Sequence, residues 1–418
     1  MTKYNIALLH YSCPPVVGGV EEIVRQHASL LSRYDHKVKV FAGDGGNFAE
    51  EIDIEINPLI GSLNRQVLNA HKLSLEGKVN KMESLTSRIY ELMLDFLKDF
   101  DVLIAHNVLT MPFNLPLSAA LHRIGQEGLI PIISWNHDSP YFYPEYPKHM
   151  DLFPWNILKR AYAGIHYVVI SESRKEMFAD LYGERKDLHV IPNGIDPILF
   201  FRLDPGTVRL IQEQRLFETE FLMVQPSRLH KRKNMELSIR VTRALHDMGL
   251  TARLLITGAH DPHEPRSLKY YNELKNLAAD LEIEDDVLIM AEYSFKSGET
   301  FSVDRITIRD LYLISDILFL PSLQEGFGIP LLESGMIKLP IVCSRIPPFL
   351  EIAGDDVCFF DLADTPESIA QKILHFTDKL EPHKMFRKVI RNYAWDNIYN
   401  EKLLPLLENV IKPRETSK

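Results

Sequence analysis

The sequence predicts an α/β chain of two doubly wound parallel sheets in tandem, and three observations carry that expectation. Short apolar, β-branched runs alternate with amphipathic stretches along most of the 418 residues, which is the rhythm of βαβ units. The strongest break in that rhythm is His189-Val-Ile-Pro-Asn-Gly-Ile-Asp196, where an Asn-Gly pair and then Pro197 punctuate the chain near its middle. The length suits two domains at roughly 100–200 residues each. Each is large enough to bury a core without disulfides or structural metal.

In the first half, a strand at 5–10 leads into a helical pattern over 20–34 and a strand at 37–43. Gly43-Asp44-Gly45-Gly46 has no helical pattern behind it and reads as a loop. A helix-rich interval over 63–98, clearest at 80–98, precedes a strand at 101–107, a helix at 115–124, strands at 131–135 and 167–171, and a helix at 174–182. After a polar interval the rhythm restarts with strands at 221–225, 252–257, 287–291, 317–320 and 340–343. Helical patterns at 235–248, 269–281, 306–314 and 330–337 alternate with them. The expected division is an N-terminal domain over 1–195, a C-terminal domain over 196–395, and a helix over 396–418 packing back toward the first domain. Such alternation places helices on both faces of parallel sheets. Open α/β sheets bind ligands at strand carboxyl ends, so the active site is expected in a crevice shared by the two domains.

Composition narrows the function. With 45% hydrophobic and 25% charged residues the chain is an ordinary globular one. Its 47 Lys+Arg against 57 Asp+Glu give a net charge of −10, with neither half basic, which does not favour nucleic acid or an anionic membrane as the main partner. Cys13, Cys343 and Cys358 form no CxxC pair and read as free thiols in a reducing compartment. The first ten residues hold too short an apolar run for a signal-peptide core, and no apolar run reaches 18 residues, so the expected location is cytoplasmic. Metal binding is not expected, because HExxH and paired Cys/His spacings are missing. Asp99-Phe100-Asp101 fits turn chemistry. The loop His260-Asp261-Pro262-His263 offers only two histidines three apart. The chain has no GxSxG elbow and no GxxxxGK[ST] loop, which lowers hydrolase and nucleoside-triphosphatase readings.

Four stretches lie at expected strand carboxyl ends. Gly18-Gly19-Val20-Glu21 opens a helix, and glycines there let backbone N–H groups approach an anion; a plain tight turn accounts for the motif equally well. It is not a GxGxxG fingerprint. Ser227-Arg228-Leu229-His230-Lys231-Arg232-Lys233-Asn234 gathers four cations, in which Arg228 can grip a phosphate bidentately and Lys233 can add a point charge. A solvated turn is the alternative. Glu325-Gly326-Phe327-Gly328-Ile329-Pro330-Leu331-Leu332-Glu333 follows a strand that ends at Pro321-Ser322, and Pro330 suits the first turn of a helix. Backbone N–H groups over 328–331 can hold a pyrophosphate, while Glu325 and Glu333 can accept hydrogen bonds from sugar hydroxyls; ordinary helix-start chemistry explains Glu333 equally well. His137-Asp138 closes the strand that carries Trp135 and Asn136, and a neutral imidazole there can bind a substrate hydroxyl with Asp138 orienting it. Tyr141-Phe142-Tyr143, Tyr146 and Trp155 line a polar pocket or, by default, pack a long loop.

In this order, Gly18-Gly19, His137, Val190-Ile-Pro-Asn-Gly-Ile-Asp196, Arg228 with Lys233-Asn234, and Glu325-Gly-Phe-Gly with Glu333 resemble the retaining GT-B glycosyltransferases. That family includes bacterial mannosyl- and glucosyltransferases, sucrose synthases and trehalose synthases. The resemblance covers nearly the whole chain and is strongest from Asp310-Leu-Tyr through Pro321-Ser322, 325–333 and Pro340-Ile-Val-Cys-Ser to Glu351-Ile352. It implies two Rossmann-like domains, with a nucleotide sugar held mainly by the C-terminal one and an acceptor mainly by the N-terminal one. Glu333 then matches the ribose-binding glutamate, Arg228 and Lys233 the pyrophosphate ligands, and Gly19 the backbone approach to the phosphates. Gly18 and 326–331, that is Gly326, Phe327, Gly328, Ile329, Pro330 and Leu331, complete the donor contacts. Glu325 matches the glutamate beside the reacting carbon, and His137 the histidine whose side chain or carbonyl meets the donor sugar. Base recognition is expected near Glu292-Tyr293.

The resemblance further implies no metal and no cofactor beyond the co-substrate, a GDP- or UDP-hexose. Ser334 stands where the family commonly has Ala. The stretch Ser134-Trp-Asn-His-Asp-Ser-Pro-Tyr-Phe-Tyr-Pro and the interval 63–98 are unlike a generic member, so acceptor specificity is expected around Trp135, Asn136, His137, Asp138 and Tyr141. The expected acceptor is soluble: a small sugar, sugar acid or sugar phosphate. Alternatives are a membrane-bound saccharide acceptor, a phosphorylase or epimerase on the same scaffold, and a non-catalytic sugar-nucleotide-binding protein. The loop Asp261-Pro-His-Glu-Pro before Tyr270-Tyr271 is similar to loops in sucrose- and trehalose-forming members.

Overall fold

In the computed structural model, β1 (Asn5–His10), β2 (Lys37–Ala42), β3 (Asp53–Ile56), β4 (Val102–His106), β5 (Ile132–Asn136), β6 (Ile165–Val169) and β7 (Leu188–Val190) pair in parallel. Their order is β3-β2-β1-β4-β5-β6-β7. Central strands are apolar along their length because both faces are covered: Ile6, Leu8, Leu9, Ile104 and Ile133 are fully buried. The connecting helices are α1 (Gly19–Arg33), α2 (Arg65–Leu75), α3 (Asn80–Leu97), α4 (Leu115–Gln126) and α5 (Glu172–Leu181). Asn64, Asn114 and Ser171 cap α2, α4 and α5 with their side-chain oxygens. The short edge strand β3, Asp-Ile-Glu-Ile, has two exposed ends and lacks the apolar run that marks its neighbours, so the sequence did not announce it.

The second sheet has the order β10-β9-β8-β11-β12-β13. Its strands are β8 (Phe221–Gln225), β9 (Ala252–Ile256), β10 (Val287–Ile289), β11 (Ile317–Leu320), β12 (Ile341–Ser344) and β13 (Cys358–Phe360), again all parallel. Around it lie α6 (Pro197–Phe201), α7 (Pro205–Gln214), α8 (Met235–Asp247), α9 (Ser267–Asp280), α10 (Arg305–Ile314), α11 (Ile329–Met336), α12 (Pro347–Ala353), α13 (Pro366–Thr377) and α14 (Glu381–Tyr393). The interval after Asp196 is not merely polar, since it holds α6 and α7. Each opens with an aspartate cap and a proline in the first turn: Asp196 accepts from the Ile198 and Leu199 amides, and Asp204 from Gly206. Two Asp-Pro dipeptides were the missed signal.

Contacts divide the chain into unit 1, Met1–Gly194 with Ile398–Lys418, and unit 2, Ile195–Asn397. The C-terminal segment runs through α15 (Trp395–Ile398), a π stretch (Tyr399–Leu403) and α16 (Leu404–Val410). Within unit 1, Tyr399 stacks on Tyr34 with ring centroids 3.9 Å apart, and its hydroxyl meets His36 Nε2 at 2.7 Å. Asp99 and Asp101 are structural. The Asp101 carboxylate accepts from the Asn5 amide at 2.8 Å, and the Asp99 carbonyl accepts from the Asn5 side chain at 3.0 Å. The three cysteines are unpaired thiols.

The structure describes residues 2–185, 187–258 and 267–411. The His260–His263 pair and the loop of 261–265 lie outside them. Among the described residues no helix is long and apolar enough to cross a membrane.

Candidate active site

In unit 2 the loops after β8 and β11 are sewn together. The Leu323 amide donates to the Arg232 carbonyl at 2.8 Å, and Arg232 Nη1 donates to the Gln324 carbonyl at 3.3 Å. Lys233 and Glu325 form an ion pair in which both side chains are nearly covered, at 14% and 12% exposure. Glu325 Oε1 also accepts from the Ser322 hydroxyl at 2.8 Å, and Oε2 faces Arg232 at 3.3 Å. Arg228, by contrast, points to solvent between the buried Ser227 and Leu229.

Several residues that the sequence did not single out hold this geometry. Gln225 ends β8 fully buried, donates to the Lys233 carbonyl at 2.9 Å and accepts from Ser238 at 2.6 Å. Lys231 is tied to Glu236 at 3.2 Å and Glu273 at 2.5 Å, while the Tyr270 hydroxyl donates to Glu236 at 2.5 Å. Gly258, just past β9, lies against the loop backbone: a Cβ there would stand 1.6 Å from the Ser227 oxygen and 2.6 Å from the Arg228 Cα. Gly258 with Ser227, Tyr270 with Glu236 and Lys231 with Glu273 are remote in sequence, so no local spacing announces those pairs.

Gly328 caps the start of helix α11; its φ of 121° favours glycine, and a Cβ there would meet the Phe349 ring at 3.0 Å. The expected row of open N–H groups over 328–331 is shorter than anticipated. Pro330 has none, and the Leu331 amide donates to the Gly328 carbonyl at 3.0 Å. Among the described residues no acceptor takes the Gly328 and Ile329 amides. Gly326 has open space around it, and Phe327 and Ile329 are exposed. Glu333, one turn into α11, accepts from the Tyr312 hydroxyl at 3.1 Å and lies 3.7 Å from Arg305. Burial and that carboxylate raise the Tyr312 phenol well above its ordinary range. Asp310, on α10 with Tyr312, is fully buried and braces the Asp204 amide at 2.7 Å, a structural role. Tyr293 receives a hydrogen bond from Gln214 at 3.0 Å and packs edge-on against Phe295, with Glu292 exposed beside it.

In unit 1 the carboxyl ends of β1, β4 and β5 gather histidines. His10 Nδ1 lies 2.7 Å from the His106 carbonyl, and His106 Nδ1 lies 3.4 Å from His137 Nε2. The His27 ring meets both His106 and Trp135 edge-on. Burial lowers all four basicities, pushing His27 and His137 down to about 3, so each ring is neutral near pH 7. Trp135 and Asn136 are fully enclosed and can reach a ligand only through their neighbours. Asp138 does not orient His137, contrary to the expectation. Its carboxylate takes the Ser139 amide at 2.8 Å, the Tyr143 hydroxyl at 2.7 Å and Arg174 at 3.2 Å. His137 is held instead by His106 and by Asn193, whose Nδ2 lies 3.2 Å from Nδ1. The Tyr141 hydroxyl donates to the Met150 and Trp155 carbonyls and packs the loop. At α1, Gly19 is open, but the Glu21 carboxylate lies over Gly18, where a Cβ would stand 2.0 Å from it, and accepts from Ser12 at 2.6 Å.

Two family models match this chain. Glycosyltransferase Family 4 matches residues 17–198, and Glycosyl transferases group 1 matches residues 208–393. Similar curated proteins include mannosylglucosylglycerate synthase of Thermotoga maritima, 24% identical over 81% of this chain and 80% of that one. The O-antigen chain mannosyltransferase RfbU of Salmonella typhimurium is 24% identical over 63% of this chain and 65% of its own. The N-acetyl-alpha-D-glucosaminyl L-malate synthase of Bacillus anthracis is 23% identical over 55% of each chain.

Proposed function

Because the chain belongs to the GT-B glycosyltransferases of the family-4 type, we propose that it moves mannose or glucose from a GDP- or UDP-hexose to a hydroxyl of a small soluble acceptor. The observation that carries this reading is the unit 2 cluster in which Lys233 and Arg232 meet Glu325 beside the open Arg228, with Glu333 on the next helix. Cations there suit a diphosphate and carboxylates suit sugar hydroxyls. In this reading Arg228 and Lys233 stabilise the charge that develops on the leaving nucleoside diphosphate, an electrostatic contribution that grows in the transition state. Gly18, Gly19 and the Gly326–Leu331 loop approach the phosphates, Glu333 binds ribose, and Glu292 and Tyr293 meet the base. Unit 1 supplies the acceptor surface around His137, Asp138 and Tyr141.

Glu325 is engaged by Ser322, Arg232 and Lys233, an arrangement that suits binding of the donor sugar better than nucleophilic attack. The family resemblance implies retention at the anomeric carbon and no metal, and with Glu325 so engaged we assign the retention to front-face attack, the departing phosphate oxygen taking the acceptor proton. Two relatives carry a hydroxy acid, glycerate or malate, in their names, which supports a sugar-acid or hydroxy-acid acceptor. The O-antigen relative favours a second reading, an acceptor that is a surface-saccharide precursor.

The test is a thermal-shift screen with UDP, GDP and ADP and their glucose, mannose and N-acetylglucosamine conjugates. A ligand at about 100 times its dissociation constant adds about 2.7 kcal/mol. One nucleotide should dominate, its sugar conjugate should be consumed when an acceptor is supplied, and the product's anomeric configuration should match the donor's. No shift with any of them overturns the donor assignment, and binding without turnover or hydrolysis would mark a non-catalytic binder.

A further inference from the structure

The hydrogen-bond geometry around His137 has only two self-consistent proton arrangements. The ring is nine-tenths buried and neutral, so it carries one proton. Its two nitrogens face Asn193 Nδ2 at 3.2 Å and His106 Nδ1 at 3.4 Å. An amide N–H directed at Nδ1 requires that nitrogen to be bare. The proton then sits on Nε2 and points at a bare His106 Nδ1, leaving the His106 proton on Nε2. In the reverse arrangement the Asn193 amide is turned over. Its oxygen accepts from His137 Nδ1, and His106 donates to His137 Nε2. His106 cannot choose between the two, because its own Nε2 is buried with no hydrogen-bond partner among the described residues. His10 does not choose either, since its ring nitrogens face the His106 carbonyl, at 2.7 Å, and the Glu21 carboxylate, at 3.8 Å, and neither contact is to an imidazole nitrogen.

The backbone around the ring is held separately. Asn107, left-handed at φ 59°, accepts with Oδ1 from the amides of His137 at 3.0 Å and Asp138 at 3.1 Å. Ring and backbone are thus fixed by two different asparagines, one after β4 and the other after β7.

We infer that Asn193 is a positioning residue of the transfer: its side-chain amide, directed at the ring through Nδ2 as in the structure, sets the tautomer of His137, placing the ring proton on Nε2 and turning the imidazole toward His106. Ligand-facing groups of the His137 segment are then presented in one orientation. This rests on the assignment of His137 to the glycosyl-transfer site.

The test compares the full-length protein with its Asn193→Asp variant, by NMR of isotope-labelled histidine ring nitrogens and by steady-state kinetics with the nucleotide sugar found in the donor screen. A carboxylate can only accept, so His137 Nδ1 gains a proton in the variant, while the native protein shows Nδ1 bare. The accompanying kinetic effect is a fall in kcat of about tenfold, within the roughly hundredfold that misplacement of a substrate-positioning group can cost, with donor KM and Tm little changed. Asn193→Ala serves if the aspartate variant does not fold, and it should give a mixture of tautomers. An unchanged Nδ1 in both variants overturns the inference, and so does a changed tautomer with native turnover. Failure of the transferase reading is separate, because it would appear as no sugar transfer by the native protein while the ring-nitrogen spectra still report the tautomer.

Discussion

Glu325 holds Lys233, and the same carboxylate is shared with Ser322 and Arg232. A cation assigned to a diphosphate is therefore paired with a carboxylate of its own chain. A nucleoside diphosphate has to compete with Glu325 for the ammonium, and the two contacts cannot both keep full strength. Glu325→Gln keeps the shape and removes the charge. We predict that this variant binds the nucleoside diphosphate about fivefold tighter, a change of ~1 kcal/mol, while sugar transfer falls because the donor sugar loses its carboxylate partner. Calorimetry with the nucleotide alone checks this, and weaker binding by the variant would contradict the competition.

Arg228 makes the complementary case. It is exposed where Lys233 is covered, and no carboxylate restrains it among the described residues. Its charge is free to meet the leaving group, so Arg228→Ala should lower kcat/KM by roughly 3–4 kcal/mol of transition-state stabilisation, the scale for a lost preorganised donor. Turnover within a few-fold of native would remove Arg228 from the assigned role.

Gly258 offers a test of the loop that carries both cations. A Cβ there would stand 1.6 Å from the Ser227 oxygen, against backbone that cannot swing aside like a side-chain end. Gly258→Ala should displace the Ser227–Arg228 backbone and weaken nucleotide affinity by about tenfold or more, on the scale of ~1–3 kcal/mol for overpacking. Equal affinity in the two proteins would show that the loop adapts elsewhere.

Gly258 marks how far the sequence could be read. Phe221-Leu-Met-Val-Gln225 was legible as a strand because a strand covered on both faces is an unbroken apolar run. The start of α11 was legible because Gly328 and Pro330 have local backbone reasons to stand where they do. Gly258 against Ser227, Tyr312 on Glu333 and Asn193 on His137 were not legible. Each joins segments that only the sheet order brings together, and periodicity carries no information about such pairs. The same limit explains why Asp138, adjacent in sequence to His137, was taken for its partner when Asn193, 56 positions away, faces the ring.

The buried histidines predict an acid-sensitive unit 1. Burial penalises the charged forms of His27 and His137 and pushes both down to about 3, from the ordinary imidazole value of about 6.5. The unfolded chain therefore binds more protons over that window. The stabilisation is fully present above pH 6.5 and is lost progressively as pH falls toward 3, at about 1.4 kcal/mol per pH unit for each such histidine. Unfolding free energy measured by urea titration should drop between about pH 6.5 and pH 4 with a slope exceeding one proton. His27→Phe keeps a ring against Trp135 and should reduce that slope by about one proton. A flat profile in the native protein would contradict the neutral, buried assignment.

The last prediction separates binding from chemistry at Glu333. Its carboxylate accepts the Tyr312 hydroxyl at 3.1 Å and stands one helical turn beyond the open amides of Gly328 and Ile329. A ribose contact is made equally in the ground and transition states, so losing it should raise donor KM and leave kcat nearly unchanged. Glu333→Ala removes hydrogen bonds to a charged acceptor, worth about 1.5–3 kcal/mol, and should raise KM by about tenfold to a hundredfold. Tyr312→Phe removes only the hydroxyl that aims the carboxylate, about 0.5–1.5 kcal/mol, and should raise KM by no more than about tenfold. The double variant should resemble Glu333→Ala alone, because Tyr312 acts on the donor only through that carboxylate. Additive losses would show that Tyr312 touches the donor itself, and a fall in kcat with KM unchanged would place Glu333 in the chemical step instead.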